Sequence, residues 1–131
     1  MNKLNIPLFM SRVQAGFPSP ADDYIEQGLD LNDYLIKRPT ATFFMKVAGD
    51  SMKDAGINND DILIVDRSLT ATHNCIVVAV VNSEYTVKRL QKIKEKIFLM
   101  PENKKYPVIE IKDGMDFEIW GVVTYVIHST K

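Results

Sequence analysis

The 131-residue sequence holds one cysteine, Cys75, and two histidines, His73 and His128. A single thiol cannot close an internal disulfide, and at the head of the apolar run CIVVAVV it reads as a small buried hydrophobe rather than a nucleophile. GxSxG, HExxH, CxxC, the phosphate-loop GxxxxGK and the dinucleotide-binding GxGxxG are all missing, which removes the chemistries those motifs serve. No His/Cys/Asp/Glu cluster has ligand spacing, so neither a metal nor a cofactor is expected. A surplus of one charge is missing too: 16 Lys and Arg face 17 Asp and Glu, a net charge of −1. Sequence-specific DNA binding driven by bulk electrostatics is therefore not expected. The densest basic run, QKIKEK ending at Lys96, contains Glu95 and reads as a solvated hairpin tip. No apolar run approaches the ~20 residues of a membrane-spanning helix, and MNKLNIPLF lacks the apolar core of a secretory signal. These absences fit a reduced, cytoplasmic protein with no membrane association.

What is present suffices for one domain with a genuine core and an arm. Residues 1–24 read as a flexible N-terminal arm, broken by Gly16, Pro18 and Pro20 in GFPSP. Ser19 before Pro20, with Asp22 and Asp23 following, is a helix-start signal, and Gly28 would stop that helix. Asp30 before LNDYLIK starts a second short helix that ends before Pro39. From there the period becomes two. FFMKVA (43–48), ILIVD (62–66), CIVVAVV (75–81), EYTVKRL (84–90), KIFLM (96–100), PVIEI (107–111) and FEIWGVVTYVI (117–127) read as strands. Asn82-Ser83 should close a hairpin, Lys112-Asp113-Gly114 marks a turn, and Gly121 inside the last strand predicts a bulge. The expected fold over 25–131 is mostly β, a strongly bent antiparallel sheet or partly closed barrel, with one or two short helices.

The segment VAGDSMKDAG places Ser51 on a glycine-flanked turn directly after an apolar strand. Neither histidine lies near it in sequence, so a Ser-His pair is not indicated. Lys88 is the alternative base. Strand alternation puts Thr86, Lys88 and Leu90 on one face and Tyr85, Val87 and Arg89 on the other, so one of the two cations must point inward or along the core edge. A lysine accepts a proton only when neutral. Half-neutrality near pH 7 needs its pKa to fall from about 10.4, a penalty of roughly 4 kcal/mol on the charged form, which an apolar wall can impose by desolvation. Arginine does not shift this way, so Arg89 is the poorer candidate. Against this stands the plain reading of Lys88 as an edge-strand charge and Ser51 as an ordinary turn residue.

AGF at the arm, GDSM at 49–52, ILIVD and TVKRL at 86–90 together resemble the LexA/UmuD family of self-cleaving Ser-Lys proteins. FPSPADDYIEQ, LDLNDYLI and WGVV at 120–123 recur in the same order, so the resemblance spans nearly the whole chain. It implies a fold like the LexA C-terminal domain, with Ser51 as nucleophile and Lys88 as general base. The bond cut would lie between Ala15 and Gly16 of the same chain. A small Ala15 fits a shallow pocket, and Gly16 lets the backbone pass near the nucleophile without a Cβ clash. The backbone amides of Asp50 and Ser51 are candidates for the oxyanion hole, and Asp50 itself reads as a turn-stabilising acid. The resemblance further implies a homodimer, stimulation by a RecA-type recombinase filament on single-stranded DNA, and association of the shortened product with an error-prone, UmuC-like polymerase subunit in the SOS response.

Two departures matter. Fifteen residues precede Gly16, too few for the helix-turn-helix domain of a LexA-type repressor, so operator binding is not expected. Asp60 stands where the family usually has glycine, in a turn that should require a left-handed residue. Two other readings compete: a signal-peptidase-like hydrolase, which should bring a membrane anchor, and a non-catalytic dimer module of the same fold.

Overall fold

The computed structural model describes residues 4–9, 12–18 and 25–131, and divides into two compact units, Met1–Lys37 and Arg38–Lys131. In the first unit, strand β1 (Ile6–Phe9) pairs antiparallel with β2 (Ile25–Leu29), Ile6 opposite Leu29 and Phe9 opposite Ile25. This corrects the first expected helix: its start at Ser19-Pro20 and Asp22-Asp23 lies outside the described residues, and Gly28 sits within a strand instead of ending a helix. A helix of under ten residues with a glycine near its end has little intrinsic stability, whereas the apolar run IPLF offers backbone partners. Gly28 also permits the approach, because a Cβ there would lie 3.1 Å from the Asn5 Cβ. The second expected helix is present as α1 (Leu31–Leu35), capped by the Asp30 carboxylate, which accepts from the Asn32 amide at 2.9 Å.

The second unit contains β3 (Thr42–Lys46), β4 (Ile62–Asp66), β5 (Ile76–Val81), β6 (Glu84–Ile93), β7 (Lys96–Met100), β8 (Ile109–Ile111) and β9 (Phe117–Ile127). They form one seven-stranded sheet in the order β3-β4-β9-β5-β6-β7-β8, antiparallel at every junction. The mostly β expectation holds. Of its two forms the open sheet is the one observed, since β3 and β8 end it as separate edges rather than pairing into a barrel. Alternation along the central strands fills both faces. Val78 of β5 joins Val47, Met52, Ile57, Leu63 and Val65 on one side, while its neighbours Val77 and Ala79 join Leu90, Leu99 and Val122 on the other.

Strand β9 lies between β4 and β5 and is irregular against both. Register shifts between Val78 and Ala79 on one flank, and between Ile64 and Val65 on the other. Bulges of this kind concentrate twist and bend a strand. Gly121 sits close against β4: a Cβ there would stand 2.5 Å from the Val65 Cγ1. The β5-β6 turn at Asn82-Ser83 has φ of 48° and 71°, the left-handed pair of a primed two-residue hairpin, achieved without glycine. Asp60 is left-handed as well, at φ 71°. Its amide donates to the Val47 carbonyl at 2.8 Å, closing the turn that returns the chain toward β4.

Candidate functional site

Beyond β3 the chain leaves the sheet through Val47 and Ala48 and reverses at Gly49, whose φ of 93° is a glycine conformation. The Gly49 amide donates to the Asn59 Oδ1 at 2.8 Å, and Met52 starts a 3-10 turn over Lys53–Ala55. Met52 is 1 % exposed, a buried plug that leaves its neighbour Ser51 at the rim of a cavity. That cavity has a volume of about 370 Å³ and is lined by backbone and side chains of 45–51 and of 85–88, with Leu63, Val78 and Tyr106.

Lys88 enters the cavity from β6. It is not an edge charge, because β6 runs between β5 and β7, and it is 8 % exposed. Its Nζ lies 3.0 Å from the Ser51 Oγ, 2.8 Å from the Thr86 Oγ1 and 3.2 Å from the Val87 carbonyl oxygen. Burial among apolar side chains holds its pKa below the ordinary lysine value. No carboxylate contributes to that shift, which leaves desolvation to act unopposed. Three neighbours suit both protonation states. An ammonium donates to all three oxygens. A neutral amine donates to Thr86 and to the Val87 carbonyl, and keeps its lone pair for the Ser51 hydroxyl.

The serine turn is braced from the far side by the loop between β7 and β8. The Glu102 amide donates to the Ser51 carbonyl at 2.8 Å, and the Glu102 carbonyl accepts from the Asp54 amide at 2.9 Å. The Glu102 carboxylate pairs with Arg89 at 2.5 Å, so the residue after Lys88 ties this brace back to β6. Asn103 donates to the Asp50 carbonyl at 2.9 Å, and the Tyr106 hydroxyl donates to the Asp50 carboxylate at 2.6 Å. The Tyr106 bond lowers the Asp50 pKa and raises that of Tyr106 itself. The amides of Asp50 and Ser51 donate to no backbone carbonyl among the described residues.

The structure thus brings Ser51, Lys88 and Asp50 to one cavity. Ala15 and Gly16 are exposed and belong to the first unit. Thr86 could be found in the sequence, since it shares a face with Lys88 two residues on. Glu102, Asn103 and Tyr106 gave no signal there, because a loop's contacts with a distant turn leave no period. Neither histidine lines the cavity: His73 accepts from the Lys92 amide at 2.9 Å, and His128 lies 2.6 Å from the Asp61 carboxylate. Cys75 is half-buried rather than enclosed, packs against the Leu90 cluster, and lies 3.2 Å from the Thr72 hydroxyl. No group able to hold a metal ion occurs among the described residues. Nor is any helix there long and apolar enough to cross a membrane.

Two buried carboxylates stabilise the frame around this site. Burial pushes Asp66 up, but the Ser68 hydroxyl at 2.6 Å, the Ser68 amide at 2.8 Å and the Arg38 guanidinium outweigh it and leave its pKa below the ordinary value. Asp61 is raised by burial likewise, and lowered further by the Asn58 amide and His128. Their folded values lie below the unfolded one, near 3.9, so the stability they add is complete above about pH 4 and lost as pH falls through the folded values. Thermal melts from about pH 6 down to about pH 2 should show this acid limb. In Asp66→Ala the limb should be shallower and the protein less stable at neutral pH, and an unchanged limb would exclude Asp66 as a contributor.

A serine hydroxyl hydrogen-bonded to a desolvated lysine, on a turn following one strand and facing the middle of another, is an arrangement suited to peptide-bond hydrolysis. The chain matches the Peptidase S24-like family over residues 7–124 and belongs to it, as a self-cleaving serine peptidase of the LexA/UmuD type. It is 50% identical over 122 residues to Protein MucA of Salmonella typhimurium, covering 92% of this chain and 83% of MucA. Protein SamA from strain LT2 of the same organism is 48% identical over 125 residues, covering 95% of this chain and 86% of SamA. The LexA repressor of Paracidovorax citrulli is 37% identical over 130 residues, 99% of this chain but 57% of the repressor.

Proposed function

We propose that this protein cleaves its own Ala15-Gly16 bond with Ser51 as nucleophile and Lys88 as general base. The observation that carries the reading is the 3.0 Å contact between the Ser51 hydroxyl and an amine that is 8 % exposed. The neutral amine takes the hydroxyl proton while Oγ attacks the Ala15 carbonyl carbon. Negative charge moves to the carbonyl oxygen, where the Asp50 and Ser51 amides receive it. The Lys88 ammonium then gives its proton to the Gly16 nitrogen, the C–N bond breaks, and Ala15 is left as an ester on Ser51. Water, deprotonated by the same amine, attacks the ester and releases the Ala15 carboxylate and the Ser51 hydroxyl. Thr86 and the Val87 carbonyl hold the amine's two hydrogens throughout and keep its lone pair on the reaction path.

Residues 1–24 serve as the arm that delivers the bond, and 25–131 as the catalytic and dimerising body. A RecA-type recombinase filament on single-stranded DNA accelerates cleavage by favouring the conformer in which the arm occupies the cavity, a population shift that needs no added catalytic group. The shortened homodimer then associates with an error-prone, UmuC-like polymerase subunit during SOS translesion synthesis in the cytoplasm.

The test is direct. Purified protein held at alkaline pH should slowly yield a fragment beginning at Gly16. Its rate should climb with pH and level off below the ordinary lysine value, because only the deprotonated fraction of Lys88 is active and burial lowers the pH at which that fraction forms. A chain still intact by mass spectrometry after long incubation, with and without an activated filament, would favour a non-catalytic dimer module.

A further inference from the structure

The Asp50 carbonyl oxygen has two donors, the Lys53 amide at 3.2 Å and the Asn103 Nδ2 at 2.9 Å. That carbonyl belongs to the same peptide group as the Ser51 N–H. No peptide bond among the described residues is cis, and in a planar trans peptide C=O and N–H point in opposite directions. Whatever fixes the oxygen therefore aims the hydrogen. Asp50 and Ser51 line the cavity and Asn103 does not, so a carbonyl held toward Asn103 turns the Ser51 N–H away from that side chain.

We infer that Asn103 is a positioning residue for self-cleavage, holding the Asp50-Ser51 peptide so that the Ser51 amide meets the developing oxyanion. The inference rests on the Ser51 reading proposed above. Asn103 is built for a fixed task. It is 5 % exposed, and its Oδ1 accepts from the Lys105 amide at 3.1 Å, which dictates that Nδ2 is the atom facing Asp50. Donation into a carbonyl also polarises the amide at the other end of the same peptide and strengthens it as a donor. The adjoining peptide is restrained from the same loop, because the Glu102 amide holds the Ser51 carbonyl. Loop 101–106 thus orients the amide that binds the oxyanion, while β6 supplies the base that moves the proton.

Two peptides with the sequence of residues 8–15 separate this role from a structural one. One ends in the aldehyde of Ala15, which Ser51 adds to as a hemiacetal whose oxygen needs the amide donors. The other ends in the corresponding alcohol, which binds without them. In the full-length protein Asn103→Asp keeps the side-chain shape and the acceptor for Lys105 but removes the donor, and Asn103→Ala serves if the aspartate variant fails to fold. Either variant, with its melting transition intact, should bind the aldehyde about ten-fold more weakly, bind the alcohol as the parent does, and cleave itself more slowly with the same pH midpoint. Competition from the chain's own arm affects both peptides equally and cancels in their ratio. Equal aldehyde binding in parent and variant would overturn the inference, as would a parallel loss for both peptides. If the parent itself forms no hemiacetal on Ser51, the catalytic reading fails first and the inference falls with it.

Discussion

Lys88→Arg should leave a full-length chain that yields no Gly16 fragment at any pH from about 7 to 10, because a guanidinium stays charged throughout that range. The substitution retains a long cationic donor for the Ser51 hydroxyl but abolishes the capacity to accept its proton. It therefore discriminates between a lysine that merely anchors the turn and one that acts as a base. A loss of about 10⁴-fold or more is expected, matched by Ser51→Ala and Lys88→Ala and not deepened by combining them, since members of one catalytic unit are strongly non-additive. A fragment from any of these variants at the parent rate would remove the proposed pair. Lys88→Met should be equally inactive yet melt higher at neutral pH. With the folded lysine value depressed, the unfolded chain binds more protons between the folded and unfolded values, so stability rises with pH across that window. Methionine has no charge to desolvate, and the slope should vanish with it.

The second large effect belongs to β9. Gly121→Val should destabilise the protein by about 3 kcal/mol, the upper range for overpacking a filled core. Even a methyl at this position would lie 2.5 Å from Val65, a residue that is itself 0 % exposed and has no space to retreat into. Urea unfolding of Ser51→Ala with and without the Gly121 change, so that cleavage does not confuse the transition, would measure it. Pairing the change with Val65→Ala should recover part of the loss, and no recovery would place the clash elsewhere.

Much of this architecture could be read from the chain. ILIVD and FEIWGVVTYVI match their strands residue for residue, because both are rich in β-branched and aromatic residues and turn formers precede each. PVIEI is shorter than expected, Ile109–Ile111, at an edge where only one neighbour supplies hydrogen bonds. Gly28 was legible as a breaker but not as a point of close approach, since the strand that crowds it lies some twenty residues earlier. The candidate site divides similarly. Ser51 and Lys88 carried signals in turn chemistry and alternation. The supports that hold Ser51 come from a loop whose partner is fifty residues away, and no local pattern records such a contact.

Sheet order has a consequence for how the molecule fails. The turn carrying Ser51 continues from the β3-β4 side of β9, and Lys88 stands on β6, beyond β5 on the other side. Hydroxyl and amine are thus lodged on opposite sides of one kinked seam, bridged a second time by loop 101–106. Warming that loosens the seam by an ångström should silence the chemistry while every strand still exchanges its amides slowly, so activity should fade at a lower temperature than folded structure does.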